Sequence, residues 1–263
     1  LTGSAGLQRR ADHQRGFRQA AALLSATVLS DSAAEHYRAG FHNRAMFIAP
    51  LVAGATLAAA AARPAAPGRR SAVVYGTAIG TGFIGFGFHL FNISRRVGGW
   101  SSGNLFNGAP AAAPLALSMA GAMGIAADRA GRAQGRFLNV LVAVGLLGTS
   151  AEAGVFHFRG AFQNPAMYAP LVVPPVTAVA LAWSGLRGSR NARATAHATL
   201  HLTAWLGVAG TVFHAWGVHR RMGGWRNWRQ NLFAGPPVPA PPAFVALALA
   251  GLASLDLSKE EQL

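Results

Sequence analysis

Long runs of Ala, Val, Leu, Gly and Phe fill most of the chain, and short clusters of Arg, Pro and Gly interrupt them. A transmembrane helix needs roughly 17–25 mostly apolar residues. Eight runs approach that length, at 19–40, 45–62, 71–94, 110–127, 137–160, 166–186, 195–218 and 241–257. The pattern predicts an all-α integral membrane protein with eight transmembrane helices, the fourth and last being the poorest in strictly apolar residues.

The pattern is also duplicated, which is sought before any motif is read. HYRAGFHNRAMF from His36 returns as HFRGAFQNPAMY from His157, aligning Arg38 with Arg159, Asn43 with Asn164 and Met46 with Met167. HLFNISRRVGGW from His89 returns as HAWGVHRRMGGW from His214, and Asn104-Leu105-Phe106 matches Asn231-Leu232-Phe233. Each copy holds four spans, an even number, so both copies take the same orientation. The expectation is two parallel four-helix repeats about an axis along the membrane normal. The domains that follow are a basic cytoplasmic segment 1–18, a first repeat 19–130, a second repeat 131–257 and a tail 258–263.

Composition sharpens this picture. The chain is 52% hydrophobic and only 12% charged, with 23 Lys+Arg against 8 Asp+Glu and a net charge of +15. A soluble enzyme would carry about 25% charged residues, and the absence of Cys removes thiolate metal sites and disulfide scaffolds. The basic residues punctuate apolar runs instead of forming a stripe, which points to a lipid bilayer as partner and away from nucleic acid. Arg9, Arg10, Arg15, Arg18, Arg63, Arg69, Arg70, Arg129, Arg132, Arg136, Arg187, Arg190, Arg193 and Lys259 fall on one side of the predicted spans. A smaller set, among them Arg38, Arg44, Arg95, Arg96, Arg159, Arg220, Arg221, Arg226 and Arg229, falls on the other. By the positive-inside rule both termini are cytoplasmic in a bacterial-type inner membrane. The first apolar run leads to Asp31, Glu35 and His36 and not to a small-residue cleavage site, so no cleavable signal is expected.

The candidate chemistry lies at the external end of this arrangement. Intramembrane ionisable residues are costly and are functional candidates by default. Asp31 and Arg38 are seven residues apart and share a helix face, as do Glu152 and Arg159. Each pair is read as an acid–guanidinium link, within or between repeats, that sets local charge or relays protons. His36 and His157 point about 140° away from those acids, which weakens a mixed carboxylate–histidine metal site. Gly82, Gly85 and His89 follow i, i+3, i+7 spacing, repeated by Gly207, Gly210 and His214. Such a face admits a close helix, or gives a haem ring a flat surface beneath its axial histidine.

His36, His89, His157 and His214 at one depth suit haem b or a non-haem copper or iron ion. Their alternative role is hydrogen bonding between helices. Arg95, Arg96, Arg220 and Arg221 of the RRxGGW loops would bind propionates, a quinone or a partner bidentately, or anchor to lipid headgroups beside Trp100 and Trp225. Asn104 and Asn231 are expected to close these loops by Asx-type bonds, while His42, His201 and His219 read as structural and Gly76 and Gly80 as helix contacts. No phosphate loop, GxSxG elbow or HExxH motif is present.

These residues read as the non-catalytic, electron-transferring membrane subunit of an oxidoreductase, with protein partners in a membrane complex. Two other classes use the same features. One is a structural or docking subunit without metal, and the other is a transporter with acid–Arg pairs between the repeats and Pro174-Pro175 opening its sixth span.

Overall fold

The computed structural model describes residues 2–62, 68–129 and 135–260. Arg63, Arg132, the repeat border at 130/131 and residues 261–263 of the expected tail lie outside them. Among the described residues the chain is all-helical, without a strand. Its elements are α1 (Thr2–Arg38), α2 (Ile48–Ala61), α3 (Arg69–Ser94), α4 (Ser102–Asn107), α5 (Leu115–Asp128), α6 (Gly135–Arg159), α7 (Ala169–Arg187), α8 (Arg190–His219), α9 (Trp228–Ala234) and α10 (Pro242–Glu260).

Each predicted apolar run contains a helix, although runs 45–62 and 110–127 hold only the shorter Ile48–Ala61 and Leu115–Asp128, and α4 and α9 are short additions in the links. Five segments are long and apolar enough to cross a membrane: Arg44–Ala61, Arg69–Ser94, Gly135–Arg159, Pro165–Arg187 and Pro242–Lys259. Leu115–Asp128 is apolar but shorter, and α1 and α8 are long but richer in polar and charged residues. These helices mark a multi-pass membrane protein.

The first helix begins earlier than its apolar run. Buried His13, Phe17, Ala20, Ala21 and Leu24 recur at helical spacing beneath Arg9, Arg10 and Arg15, so the basic segment 1–18 continues as helix. This stretch lies against α10, where a Cβ added at Gly16 would stand 2.9 Å from Ala253 Cβ.

The core is formed by α1, α5, α6 and α10, which bury Phe17, Leu24, Met123, Leu146 and Leu247. In the first half α1 and α3 each pack on α2 and α5; in the second, α6 and α8 each pack on α7 and α10. The halves join chiefly where α1 meets α10, whereas α5 and α6 touch only lightly. The flanking helices turn Leu51, Ile84, Val179 and Trp205 outward, an apolar surface suited to lipid.

Candidate functional site

The four repeated histidines lie within the last two turns of α1, α3, α6 and α8. Helix α1 ends in a Schellman turn: Gly40 takes φ +74°, Gly40 N–H bonds to Tyr37 O at 2.9 Å, and Phe41 N–H to His36 O at 3.0 Å. Phe41 is itself left-handed at φ +44°, a strained setting for a bulky residue, and its ring stacks on Phe47 at 4.2 Å. Asn43 accepts from Ala45 N–H at 2.9 Å and starts the next turn. This hairpin brings Met46 O to His36, whose Nδ1–H donates to it at 2.5 Å.

The same contacts recur after α6. Phe162 takes φ +45° and stacks on Tyr168 at 4.5 Å, Asn164 accepts from Ala166 N–H at 2.9 Å, and His157 Nδ1–H donates to Met167 O at 2.6 Å.

At the other two histidines the links provide the acceptors. His89 Nδ1–H donates to Pro110 O and His214 Nδ1–H to Pro237 O, both at 2.7 Å. The RRxGGW loops preceding these links turn on Gly98 and Gly99 (φ +87° and +54°) and on Gly223 and Gly224 (φ +80° and +52°), a conformation open to glycine without strain. Asn104 Nδ2 closes the first loop on Val97 O and Gly99 O at 2.9 and 2.8 Å, and Asn231 Nδ2 closes the second on Met222 O and Gly224 O at 3.1 and 2.8 Å. The asparagines act as expected in place, but by donating to carbonyls and not by Asx-type acceptance.

The glycine faces resolve in favour of helix approach. A Cβ at Gly82 would stand 2.6 Å from Pro114 O, and one at Gly207 2.9 Å from Pro241 O. A Cβ at Gly85 or Gly210 would meet the same prolines at 2.9 and 3.0 Å. The starts of α5 and α10 thus occupy the surfaces on which a haem ring would have lain. Gly76 and Gly80, expected as helix contacts, have no neighbour within 4 Å of an added Cβ.

A backbone carbonyl only accepts, so each Nδ1 carries a proton and each neutral imidazole keeps its lone pair on Nε2. All four rings are half-buried. His36 lies within electrostatic range of His89, and His157 of His214. Among the described residues no group of three or more His, Cys, Asp or Glu is arranged to hold a metal.

Arg38 stays within electrostatic range of Asp31 and Arg159 of Glu152, while the direct bonds of both arginines go to other partners. Arg38 pairs at 2.7 Å with Glu35, three residues away and closer along the helix than Asp31. Arg159 reaches to the first half, donating to Phe106 O and, at 2.8 Å, to Gly108 O, carbonyls that the end of α4 leaves without helical partners. Glu152 lies near the backbone N–H groups of Ala112 and Ala113 and within electrostatic range of Asp31. Arg95, Arg96, Arg220 and Arg221 are exposed beside exposed Trp100 and Trp225, and Arg96 also donates to Asn107 O at 3.3 Å.

The sequence reading missed three features. Phe158 meets Phe106 at 5.0 Å and Tyr37 meets Phe233 at 4.9 Å, a reciprocal contact between the halves at aligned positions. A shallow apolar groove of about 530 Å³ runs between α6 and α7, lined by Phe106, Ser150, Gly154, Phe158, Phe162 and Pro175. His201 stands beside His197, their ring centroids 4.6 Å apart. Comparison with protein-family models, with curated proteins and with solved structures gives no match.

Proposed function

We propose that this chain is the membrane subunit of a redox complex, carrying one bis-histidine metal site in each of two parallel four-helix repeats. The repeats cross a bacterial-type inner membrane eight times, with both termini cytoplasmic and the histidines near the external face. One observation carries the reading. All four histidines donate Nδ1–H to a backbone carbonyl at 2.5–2.7 Å and keep Nε2 for another partner, with His36 in electrostatic range of His89 and His157 of His214. Ligating histidines are oriented by this kind of bond, which fixes the tautomer and raises the basicity of the free nitrogen.

Two imidazoles per half match the axial demand of haem b, whose ring would have to lie away from the glycine faces that α5 and α10 fill. A copper or iron ion would need further ligands from outside the pair. Haem iron carries a single electron between its ferrous and ferric states; the protein's part is to hold and tune it. Arg95, Arg96, Arg220 and Arg221 offer planar donors for propionates or a docking partner. Asp31 and Glu152, with Arg38 and Arg159 near them, set the field between the repeats and move protons. The groove beside Phe158 is the place for a quinone tail. The reciprocal contacts of Phe106 with Phe158 and Tyr37 with Phe233 support the two-fold relation.

A scaffold is the second reading, because the same histidine–carbonyl bonds tether hairpins and links whether or not Nε2 is used. Oxidised and reduced visible spectra with metal analysis of the purified chain separate the two. The redox reading predicts a reduced haem band that falls by half in His89→Ala and again in His214→Ala. Bound copper or iron without that band selects the non-haem site, and a folded, colourless, metal-free chain selects the scaffold.

A further inference from the structure

We infer that His197 and His201 form a second kind of metal site, on the outer face of α8, for a divalent ion of tetragonal preference such as Cu²⁺. The helix fixes their placement. Ser189 caps its start by accepting from Ala192 N–H at 3.2 Å, and the buried positions Ala192, Ala196, Leu200, Thr203 and Gly207 set its register against the rest of the bundle. That register leaves His197 and His201 exposed, one turn apart on one face. Two histidines at this spacing are the helical half of known zinc sites, because both imidazoles reach the same ion.

The geometry selects the class of ion. An imidazole bound at ~2.0 Å places its ring centre ~3.2 Å from the metal, so two bound at ~90° have centres ~4.5 Å apart, against ~5.2 Å at the tetrahedral angle. The two rings stand 4.6 Å apart with their planes at 62°, the separation of neighbouring ligands in a square or octahedral field. That field belongs to Cu²⁺ and Ni²⁺ more than to Zn²⁺. Among the described residues neither ring makes a hydrogen bond that would hold its nitrogens back, and the pair lies near the basic start of α8, close to Arg190 and Arg193, where the headgroup boundary lets water or a partner complete the coordination. The aligned positions in α3 are Ala72 and Gly76, so the site belongs to one half alone and stands apart from the duplicated histidines.

The test is a Cu²⁺ titration in detergent of the full-length His89→Ala/His214→Ala chain, in which both duplicated histidine sites are broken, purified through a tag without histidine and followed by electron paramagnetic resonance. The site predicts one tetragonal Cu²⁺ signal with hyperfine structure from two nitrogens, displaced by Ni²⁺ more readily than by Zn²⁺. His197→Ala and His201→Ala each lose the two-nitrogen signal while circular dichroism and elution volume stay those of the parent. His36→Ala and His157→Ala in the same chain retain it. An unchanged signal in His201→Ala, or no two-nitrogen copper signal in the parent, overturns the assignment.

Discussion

His36 and His157 hold Met46 O and Met167 O at 2.5 and 2.6 Å, and His89 and His214 hold Pro110 O and Pro237 O at 2.7 Å, yet the helices carrying these bonds pack differently. Helix α1 has 37 residues against 25 in α6, and its added N-terminal turns lie along α10, while α6 touches α5 only lightly. The outer faces diverge further. Where α3 carries Gly80 and Gly87, the aligned positions of α8 are Trp205 and Val212. Helix bodies facing lipid or adaptable apolar neighbours tolerate such change. The hairpins do not, because left-handed residues, caps and histidine bonds depend on one another.

The acids mark a subtler difference. Glu152 lies beside the N–H groups of Ala112 and Ala113, and the link residue aligned with Ala112 is Pro239, which has no N–H to give. Asp31 instead lies within the field of Glu35 and Arg38. The two acids are therefore inequivalent although their sequence positions match.

The largest effect is expected at the close helix crossings. Gly82→Leu and Gly207→Leu should each lower unfolding stability in detergent by about 3 kcal/mol, while Gly76→Leu on the open face should change it by less than about 0.5 kcal/mol. Similar losses at all three would break the distinction between packed and open glycine faces. Next come the histidines: alanine at any of the four leaves a carbonyl without its donor and should cost about 1–3 kcal/mol, with His36 matching His157 and His89 matching His214 in the same assay.

The hairpins give an effect with opposite signs. Ala161 takes φ +56° where the first half has Gly40, so Ala161→Gly should stabilise and Gly40→Ala destabilise by about 1 kcal/mol each. Double-mutant cycles on Phe106/Phe158 and Tyr37/Phe233 should return equal couplings of about 0.5–1.5 kcal/mol if the contact between halves is reciprocal. The smallest change is at Arg38→Ala: its partner Glu35 is 45% exposed at the side chain, and the exposed pair should contribute less than about 1 kcal/mol.

Much of this was legible in the sequence because the signals were local. Apolar runs located the long helices, and the repeated His, Asn and Gly-Gly positions marked the loops that share bonds. The start of α1 was not, since Phe17 and His13 face inward beneath a run of arginines that reads as a polar tail. Nor was the choice made by the arginines, because helical spacing alone leaves Arg38 between Asp31 and Glu35 and says nothing of the carbonyls that draw Arg159 across the halves. The use of the glycine faces depended on where Pro114 and Pro241 arrive, a tertiary fact.

The most direct measurement of the central claim is cofactor content per chain, with reduced-minus-oxidised spectra, in a His197→Ala/His201→Ala background that removes the α8 site. Two redox centres per chain, falling to one in His89→Ala and to one in His214→Ala, is the result the bis-histidine reading predicts. A folded chain with neither visible band nor bound metal, unchanged by either substitution, would contradict it and leave the histidines as struts.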